Sequence, residues 1–263
     1  MKSVFLILAT LLAFAQPSRA QSPTKPQAPA RPLMRPPFPA QKRLNVAVLI
    51  YPGVGLGDFN APTDVFIKAN RLTRGQYNVY TVAMQPGPVR AQGGVVLVPS
   101  YVAGRLPRPD ILVVPGGTVG VVDSLARQQA PLIGFIRHYR DSVQVLLSVC
   151  TGAYLLGAAG ALDGHRATTH YFVANDLQAE YPRMTLVRDV RYVQDGRLLT
   201  TSGVTTGTDG AMHLVEQFSG PRIVDFVTRG LQYVPREADP WPLPVEGMKF
   251  DRAQQRKNRM LMQ

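Results

Sequence analysis

The chain has one cysteine, Cys150, one tryptophan and four histidines among its 263 residues. A single cysteine excludes an internal disulfide and every zinc site built on paired cysteines. The four histidines show no metal-ligand spacing either, so we expect no metal and no other cofactor. A lone cysteine is then either a small buried hydrophobe or a residue kept for its reactivity.

Long apolar runs are also missing. Residues 4–15 form a mostly apolar run that is too short for a stable membrane anchor. Lys2 stands before this run and Ser18-Arg-Ala20 follows it, which is typical of a secretory signal peptide. We therefore expect residues 1–20 to be removed and the mature protein to be periplasmic or secreted.

Acidic residues are absent from one end of the chain and scarce at the other. Residues 1–43 carry seven Lys or Arg and no acid, and residues 248–263 carry five against one, which leaves 17 basic and 16 acidic residues for 44–247. The tails therefore carry +11 of the formal charge of +12, and we expect no specific nucleic-acid partner. Weak contact of the basic tails with an anionic membrane surface is the alternative to plain solvation.

The residues that are present predict one folded domain. Seven prolines between residues 21 and 43 indicate a disordered linker, so the chain divides into a signal peptide (1–20), a linker (21–43), a domain (44–247) and a basic C-terminal tail (248–263). Buried strands alternate with amphipathic helices along the domain, which favours an α/β fold with a mostly parallel sheet. The predicted strands are 44–50, 77–84, 110–114, 143–149, 187–194 and 198–201, with hairpins at Gly93-Gly94 and Asp195-Gly196. The predicted helices are 58–70, 131–139, 151–160, 211–218 and 221–231.

Cys150 stands where a buried strand turns into a helix of small residues. Ser148 and Gly152 flank it in the small-x-nucleophile-x-Gly pattern of a nucleophile elbow, with sulfur in place of a hydroxyl. Because unpaired N–H groups at a helix N-terminus favour negative charge, we expect an accessible thiolate at neutral pH. An inert, buried cysteine is the alternative.

Glycine-rich or polar residues follow three of the predicted strands, at 53–58, 115–117 and 150–151. The carboxyl ends of parallel strands meet at one edge of a sheet, so these loops are expected to converge on a ligand site. Amides of Gly116, Gly117 and Thr151 are candidates for an oxyanion cradle. A simple tight turn is the alternative for the glycine pair.

Four motifs occur in order and cover residues 44 to about 240: Val114-Pro-Gly-Gly117, Ser148-Val-Cys-Thr-Gly152, Asp163-Gly-His-Arg-Ala-Thr-Thr-His170 and the stretch from Asp195-Gly-Arg to Gly-Thr-Asp209. On these motifs the chain resembles the PfpI-type branch of the class I glutamine amidotransferase-like superfamily. Within it, Ser-Val-Cys-Thr-Gly with an early aspartate looks most like isonitrile hydratases and the N-terminal domain of AraC-type regulators. The resemblance implies a flavodoxin-like three-layer sandwich that is commonly a homodimer.

The resemblance also implies roles for individual residues. Cys150 is the nucleophile, Asp58 its carboxylate partner, and Thr151 and Gly117 the oxyanion-side groups. His170 matches a histidine near the cysteine of a related deglycase, either as a general base or as a structural residue at a strand or helix end. Members with peptidase-like activity have His directly after the cysteine, so Thr151 argues against proteolysis.

Two further positions are open to interpretation. The family's first acidic motif has Leu-Asp followed by Gly-Pro, and Gly57 and Ala61 depart from it here, which predicts a pocket of different shape. Asp209 also lies in a matching motif, and we interpret it as an N-terminal cap of the 211–218 helix rather than a catalytic group.

The signal-peptide pattern and the resemblance together imply an exported, cofactor-independent enzyme that uses Cys150 to add to a small electrophilic carbon, as isonitrile hydratases do. Glyoxalase or deglycase activity on reactive carbonyls is one alternative. A non-catalytic redox or stress sensor that oxidises Cys150 is the other.

Overall fold

The computed structural model describes residues 42–128 and 130–234. The predicted signal peptide, nearly all of the linker and the basic tail lie outside these residues, so the predicted division of the chain stays a prediction. No helix among the described residues is long and apolar enough to cross a membrane.

The described residues form eleven strands and seven helices. The strands are β1 (Leu44–Leu49), β2 (Tyr77–Ala83), β3 (Val89–Arg90), β4 (Val96–Leu97), β5 (Tyr101–Val102), β6 (Ile111–Val114), β7 (Val145–Val149), β8 (Arg166–Ala167), β9 (Thr185–Leu186), β10 (Tyr192–Asp195) and β11 (Leu198–Thr201). The helices are α1 (Leu56–Leu72), α2 (Val119–Arg127), α3 (Pro131–Tyr139), α4 (Gly152–Ala158), α5 (Ala174–Glu180), α6 (Thr206–Ser219) and α7 (Pro221–Leu231).

Seven strands make the central sheet in the order β10-β11-β7-β6-β1-β2-β5. Only the β10–β11 pair is antiparallel, through the hairpin predicted at Asp195-Gly196. β3 and β4 form a separate antiparallel pair around the predicted Gly93-Gly94 turn. The predicted α/β fold with a mostly parallel sheet is confirmed.

β1 shows why the sheet is covered on both faces. Its successive side chains point to opposite sides, and Ala47 and Leu49 pack into one hydrophobic cluster while Val46 and Val48 pack into the other. All four are fully buried. The continuous apolar run in the sequence therefore reflects two cores, with α1, α6 and α7 over one face and α2, α3, α4 and α5 over the other. This is the predicted three-layer sandwich.

The sheet order places three carboxyl strand ends side by side. β6 lies between β1 and β7, with Val113 in register with Val48 on one side and with Leu147 on the other. The chain leaves β1 toward β2 and later returns to the opposite side of β1 as β6. Such a reversal of strand order opens a crevice at the carboxyl edge of an open α/β sheet.

The structure adds one helix that the sequence did not predict. α2 contains Gly120 and several β-branched valines, which are poor helix formers. Val122 and Ala126 are nonetheless buried against the neighbouring helices, so tertiary packing decides the helix. Two predicted boundaries also shift, because β10 starts at Tyr192 rather than at residue 187 and α6 starts at Thr206 rather than at residue 211.

Candidate active site

Cys150 has the strained backbone of an elbow, with a φ of 58° in the left-handed region. Its N–H donates to the Thr201 carbonyl at 3.0 Å, and its carbonyl accepts the Thr169 hydroxyl at 2.9 Å. A non-glycine residue persists in this conformation only where its surroundings over-determine it. Here β11 and the segment after β8 hold the backbone of Cys150 from both sides.

Two glycines let the elbow pack closely against the end of β6. A Cβ on Gly152 would lie 2.2 Å from the Val114 carbonyl oxygen, so only glycine lets α4 begin directly beside β6. A Cβ on Gly116 would lie 2.4 Å from Thr151 Oγ1 and 2.8 Å from Asp58 Oδ2. The side chains of Thr151 and Asp58 therefore approach each other across a position that has no room for a methyl group.

Asp58 and Cys150 form the centre of the site. Asp58 is 4% exposed and Cys150 is 7% exposed. The thiol and the carboxyl group are hydrogen-bonded to each other. Asp58 Oδ1 is buried and has no hydrogen-bond partner among the residues that the structure describes. A buried carboxylate oxygen left without a partner is costly, and it leaves one acceptor for a bound molecule.

The pKa values of Asp58 and Cys150 are both raised. Burial raises the pKa of the Asp58 carboxyl to about 7, opposed by hydrogen bonds from the Cys150 thiol and the Gly116 amide. Burial also raises the pKa of Cys150, and the charge of Asp58 adds to that rise, while the amide and hydroxyl of Thr151 lower it. Above about pH 7 the pair therefore shares one proton and carries one negative charge.

This result corrects the expectation of a thiolate at neutral pH. The predicted helix N-terminus is present, and the Thr151 amide lowers the pKa of Cys150 as expected. Desolvation acts in the opposite direction and is larger, because the sulfur is buried beside a second acid. The sequence pattern predicts that the sulfur lies at the helix N-terminus, but it does not predict how far the side chain is buried.

The glycine amides have partners inside the protein. The Gly117 N–H donates to Thr151 Oγ1 at 3.0 Å, the Thr151 hydroxyl donates to the Gly117 carbonyl at 2.8 Å, and the Gly116 amide is hydrogen-bonded to Asp58. These bonds fix Thr151 and Asp58 in place. The amide that faces the sulfur is that of Thr151. An oxyanion role for the amides of Gly116 and Gly117 stays a prediction.

Tyr51 is a residue of the site that the sequence analysis missed. Its side chain is buried, and its hydroxyl donates to the Pro115 carbonyl at 2.7 Å, which joins the loops after β1 and β6. Burial raises the pKa of Tyr51 well above its usual value, with further contributions from Asp58 and Cys150. The phenol therefore stays neutral. The available signal was its place directly after the first buried strand, in one of the converging loops.

His170 lies next to the site in sequence, since its neighbour Thr169 binds the Cys150 carbonyl. Its ring packs against that of Tyr171 with 4.7 Å between the ring centroids, and its backbone carbonyl accepts the Val173 N–H at 3.0 Å. Burial lowers the pKa of His170, so the ring is neutral near pH 7. The structure brings Cys150, Asp58, Thr151, Gly116 and Gly117 together, while His170 does not contribute to the pKa shifts of the cysteine or the aspartate.

Asp209 is not the helix cap that the sequence analysis expected. It lies in the first turn of α6, where no side chain caps the helix. Its Oδ2 accepts bonds from Arg191 at 2.9 and 2.5 Å, and its Oδ1 accepts the Tyr233 hydroxyl at 2.8 Å. Both partners are distant in sequence, so local pattern could not reveal them.

The described residues contain no group of three or more His, Cys, Asp or Glu side chains arranged to hold a metal ion. The site itself holds a thiol nucleophile beside a carboxyl group that can exchange a proton with it. Such a pair adds to an electrophilic carbon and protonates the product of that addition.

Comparison with known proteins gives matches over most of the domain. A family model described as DJ-1/PfpI family matches residues 45–217. An isonitrile hydratase of Pseudomonas putida is 34% identical over 192 residues, which are 73% of this chain and 79% of that protein. The HTH-type transcriptional regulator CdhR of Pseudomonas aeruginosa is 27% identical over 66% of this chain and 51% of its own length.

Two further relatives bear on activity and fold. The glutathione-independent glyoxalase DJR-1.2 of Caenorhabditis elegans is 26% identical over 60% of this chain and 82% of that protein. The crystal structure of a THiJ/PfpI family protein from Pseudomonas syringae superposes with a TM-score of 0.68 at 27% identity, covering 90% of this chain and 93% of the other.

Proposed function

The chain belongs to the DJ-1/PfpI family, and from that premise we propose that it is a cysteine-dependent, cofactor-independent enzyme that adds water to a small isonitrile and releases an N-substituted formamide. The likeness to the isonitrile hydratase covers most of both proteins. The observation that carries the proposal is the buried Cys150–Asp58 pair with its unpartnered carboxylate oxygen.

The first step uses the shared proton of the pair. Asp58 takes the proton from the Cys150 thiol as the sulfur attacks the terminal carbon of the isonitrile. The same proton then passes from Asp58 to that carbon, which gives a thioimidate with one new S–C bond and one new C–H bond. No charge is left on the substrate, and Asp58 is again a carboxylate.

The second step restores the thiol. A water molecule adds to the carbon of the thioimidate while the Asp58 carboxylate takes one of its protons and passes that proton to the nitrogen. The resulting intermediate collapses with cleavage of the S–C bond, and its hydroxyl proton passes to Asp58 and from Asp58 to the leaving sulfur. The product is a formamide, and the enzyme ends with the same single proton on the pair.

Two alternative functions use the same residues. A glyoxalase would add the Cys150 sulfur to an aldehyde carbon, and the likeness to a glyoxalase of Caenorhabditis elegans favours this candidate. A redox sensor needs an accessible sulfur of low pKa. Cys150 is 7% exposed and its pKa is raised, which argues against the sensor.

The test is turnover of the purified protein with n-butyl isonitrile and, separately, with methylglyoxal. We expect formamide release that is abolished by Cys150→Ala. Ser142→Ala, which removes a similar-sized polar group from an exposed turn, is the matched control and should leave the rate unchanged. Turnover of methylglyoxal alone would favour the glyoxalase, and turnover of neither would contradict an enzymatic role in these two reactions.

The proposal has four further parts. The protein is exported and forms a homodimer in solution. It does not bind nucleic acid specifically, and its basic tails are weakly attracted to anionic membranes. The apolar run at residues 4–15 supports export, the charge distribution supports the points on nucleic acids and membranes, and the homodimer rests on the family resemblance alone. Mass spectrometry of the protein from its native host tests export, because the mature chain should begin near Gln21. An intact N-terminus in the cytoplasmic fraction would contradict it.

A further inference from the structure

Val204 is an aliphatic residue with 45% exposure in the turn between β11 and α6. Hydrogen bonds fix this turn. The Thr206 hydroxyl accepts the Gly203 N–H at 2.7 Å and donates to the Gly203 carbonyl at 3.0 Å, while the Ser202 amide and hydroxyl both donate to the Arg191 carbonyl. Val204 is therefore held at a defined place.

The side chain of Val204 occupies the space above Gly57. A Cβ on Gly57 would lie 2.2 Å from Val204 Cγ1, so no larger residue fits at position 57 unless Val204 moves. Gly57 directly precedes Asp58 on α1. The departure from the family's Leu-Asp motif thus has a physical counterpart, because a valine from another loop fills the place that a side chain at 57 would need.

This contact lies beside the site. β11 and β1 are separated in the sheet by β7 and β6, and Cys150 follows β7. A contact between the residue after β11 and the start of α1 therefore spans the carboxyl ends of β7 and β6 on the α1/α6 face.

We infer that Gly57 and Val204 together form one wall of the entrance to Cys150, and that Val204 limits the size and selects the apolar character of the substituent on the substrate nitrogen. This inference deepens the proposed function by naming the substrate class, an isonitrile with a small hydrocarbon substituent, and it rests on that function. A charged substituent beside Val204 loses water and gains no hydrogen-bond partner from that side chain.

Access to Cys150 is measurable without any turnover. The alkylation rates of wild type and Val204→Ala are compared for iodoacetamide and for the bulkier N-cyclohexylmaleimide. We expect Val204→Ala to raise the maleimide-to-iodoacetamide rate ratio at least fivefold. Val98→Ala is the matched control, because Val98 is 76% exposed just after β4, outside the site, and should leave the ratio unchanged. An unchanged ratio in Val204→Ala would overturn the inference.

Substrate preference is the second readout. With isonitriles of increasing alkyl length, Val204→Ala should shift kcat/KM toward the longer substrates relative to wild type. If no isonitrile is turned over while the alkylation ratio shifts, the proposed function is wrong, and the inference that Val204 limits access to Cys150 is supported. If isonitriles are turned over but neither the alkylation ratio nor the kcat/KM preference shifts, the inference about Val204 is wrong and the proposed function is supported.

The contact itself is tested by a pair of substitutions. Gly57→Ala should lower the Tm in the wild-type background, although an alanine is ordinarily the better helix former. In the Val204→Ala background the same change should raise the Tm, because a Cβ at 57 would then meet only the Cβ of residue 204 at 3.7 Å, an ordinary contact. The same sign in both backgrounds would contradict the contact.

Discussion

Two aspartates are buried at the same edge of the sheet, and their surroundings are opposite. Asp209 is 7% exposed and binds the Arg191 guanidinium and the Tyr233 hydroxyl. Asp58 is 4% exposed, faces the Cys150 thiol and keeps one carboxylate oxygen without a partner among the described residues. One buried acid is compensated by a cation and the other is not.

This difference indicates that Asp209 has a structural role and that Asp58 takes part in the chemistry. With Arg191, Asp209 joins the start of β10 to the first turn of α6 and to the chain after α7, so its hydrogen-bonding capacity is used. Burial raises the pKa of Asp58, and no cation is among the groups that oppose this rise. That leaves both a proton and an acceptor available to a substrate.

The largest expected effect is on turnover. Asp58→Asn should lower kcat/KM for the isonitrile by about 10²–10⁴-fold, because an amide cannot carry the proton from sulfur to carbon. Asp209→Asn should lower the activity of the folded protein far less. Similar losses in the two variants, measured on fractions shown to be folded by circular dichroism, would erase the distinction between the acids.

Stability should respond in the reverse order. Asp209→Ala leaves Arg191, which is 16% exposed, without its counter-ion and should cost about 3–5 kcal/mol in urea unfolding. Asp64→Ala removes the partly exposed Asp64–Lys68 pair on α1 and serves as the control, with an expected cost of about 0–1 kcal/mol. Equal costs for the two substitutions would show that Asp209 is not a structural anchor.

The pH dependence of stability sharpens the same contrast. The pKa of Asp58 is about 7 in the folded protein and about 4 when unfolded, so the folded state binds this proton more tightly. Its contribution is fully present below about pH 4 and is lost as pH rises through about 7, a change of up to about 4 kcal/mol. The free energy of unfolding of wild type minus that of Asp58→Asn should fall over this range. A constant difference would mean that Asp58 titrates normally.

A smaller effect is expected from close packing around Asp58. Gly116→Ala places a methyl group 2.4 Å from Thr151 Oγ1 and should cost about 1–3 kcal/mol together with part of the activity. Gly134→Ala, in α3 with nothing within 4 Å of the new methyl group, should instead stabilise by about 0.5–1 kcal/mol. A neutral Gly116→Ala would show that the site tolerates more space than its geometry indicates.

The central strands and the elbow at Cys150 could be predicted from the sequence. β1, β6 and β7 are largely apolar because both faces of the sheet are covered, and such apolar runs can be recognised without a structure. The elbow at Cys150 was predictable from its small neighbours, and the left-handed φ agrees with it. α2 was missed because its valines and glycine disfavour a helix that packing imposes.

The pKa shifts and the long-range contacts of the site could not be predicted from the sequence. The raised pKa of Cys150 comes from burial, and the depth of a side chain is not a property of its neighbours in sequence. The partners of Asp209 lie 18 and 24 residues away, and Val204 meets Gly57 across 147 positions. Each of these contacts depends on the sheet order rather than on a local pattern.

The most direct test of the central claim, that Asp58 and Cys150 share one proton which Asp58 transfers, is the rate of iodoacetamide alkylation against pH for wild type and Asp58→Asn. The account predicts a wild-type alkylation pKa above the free-cysteine value of about 8.5. It also predicts a lower pKa in Asp58→Asn, since the neighbouring negative charge is gone, with faster alkylation at pH 8 and slower isonitrile turnover. A wild-type value at or below about 8.5, or the same value in both proteins, would contradict it.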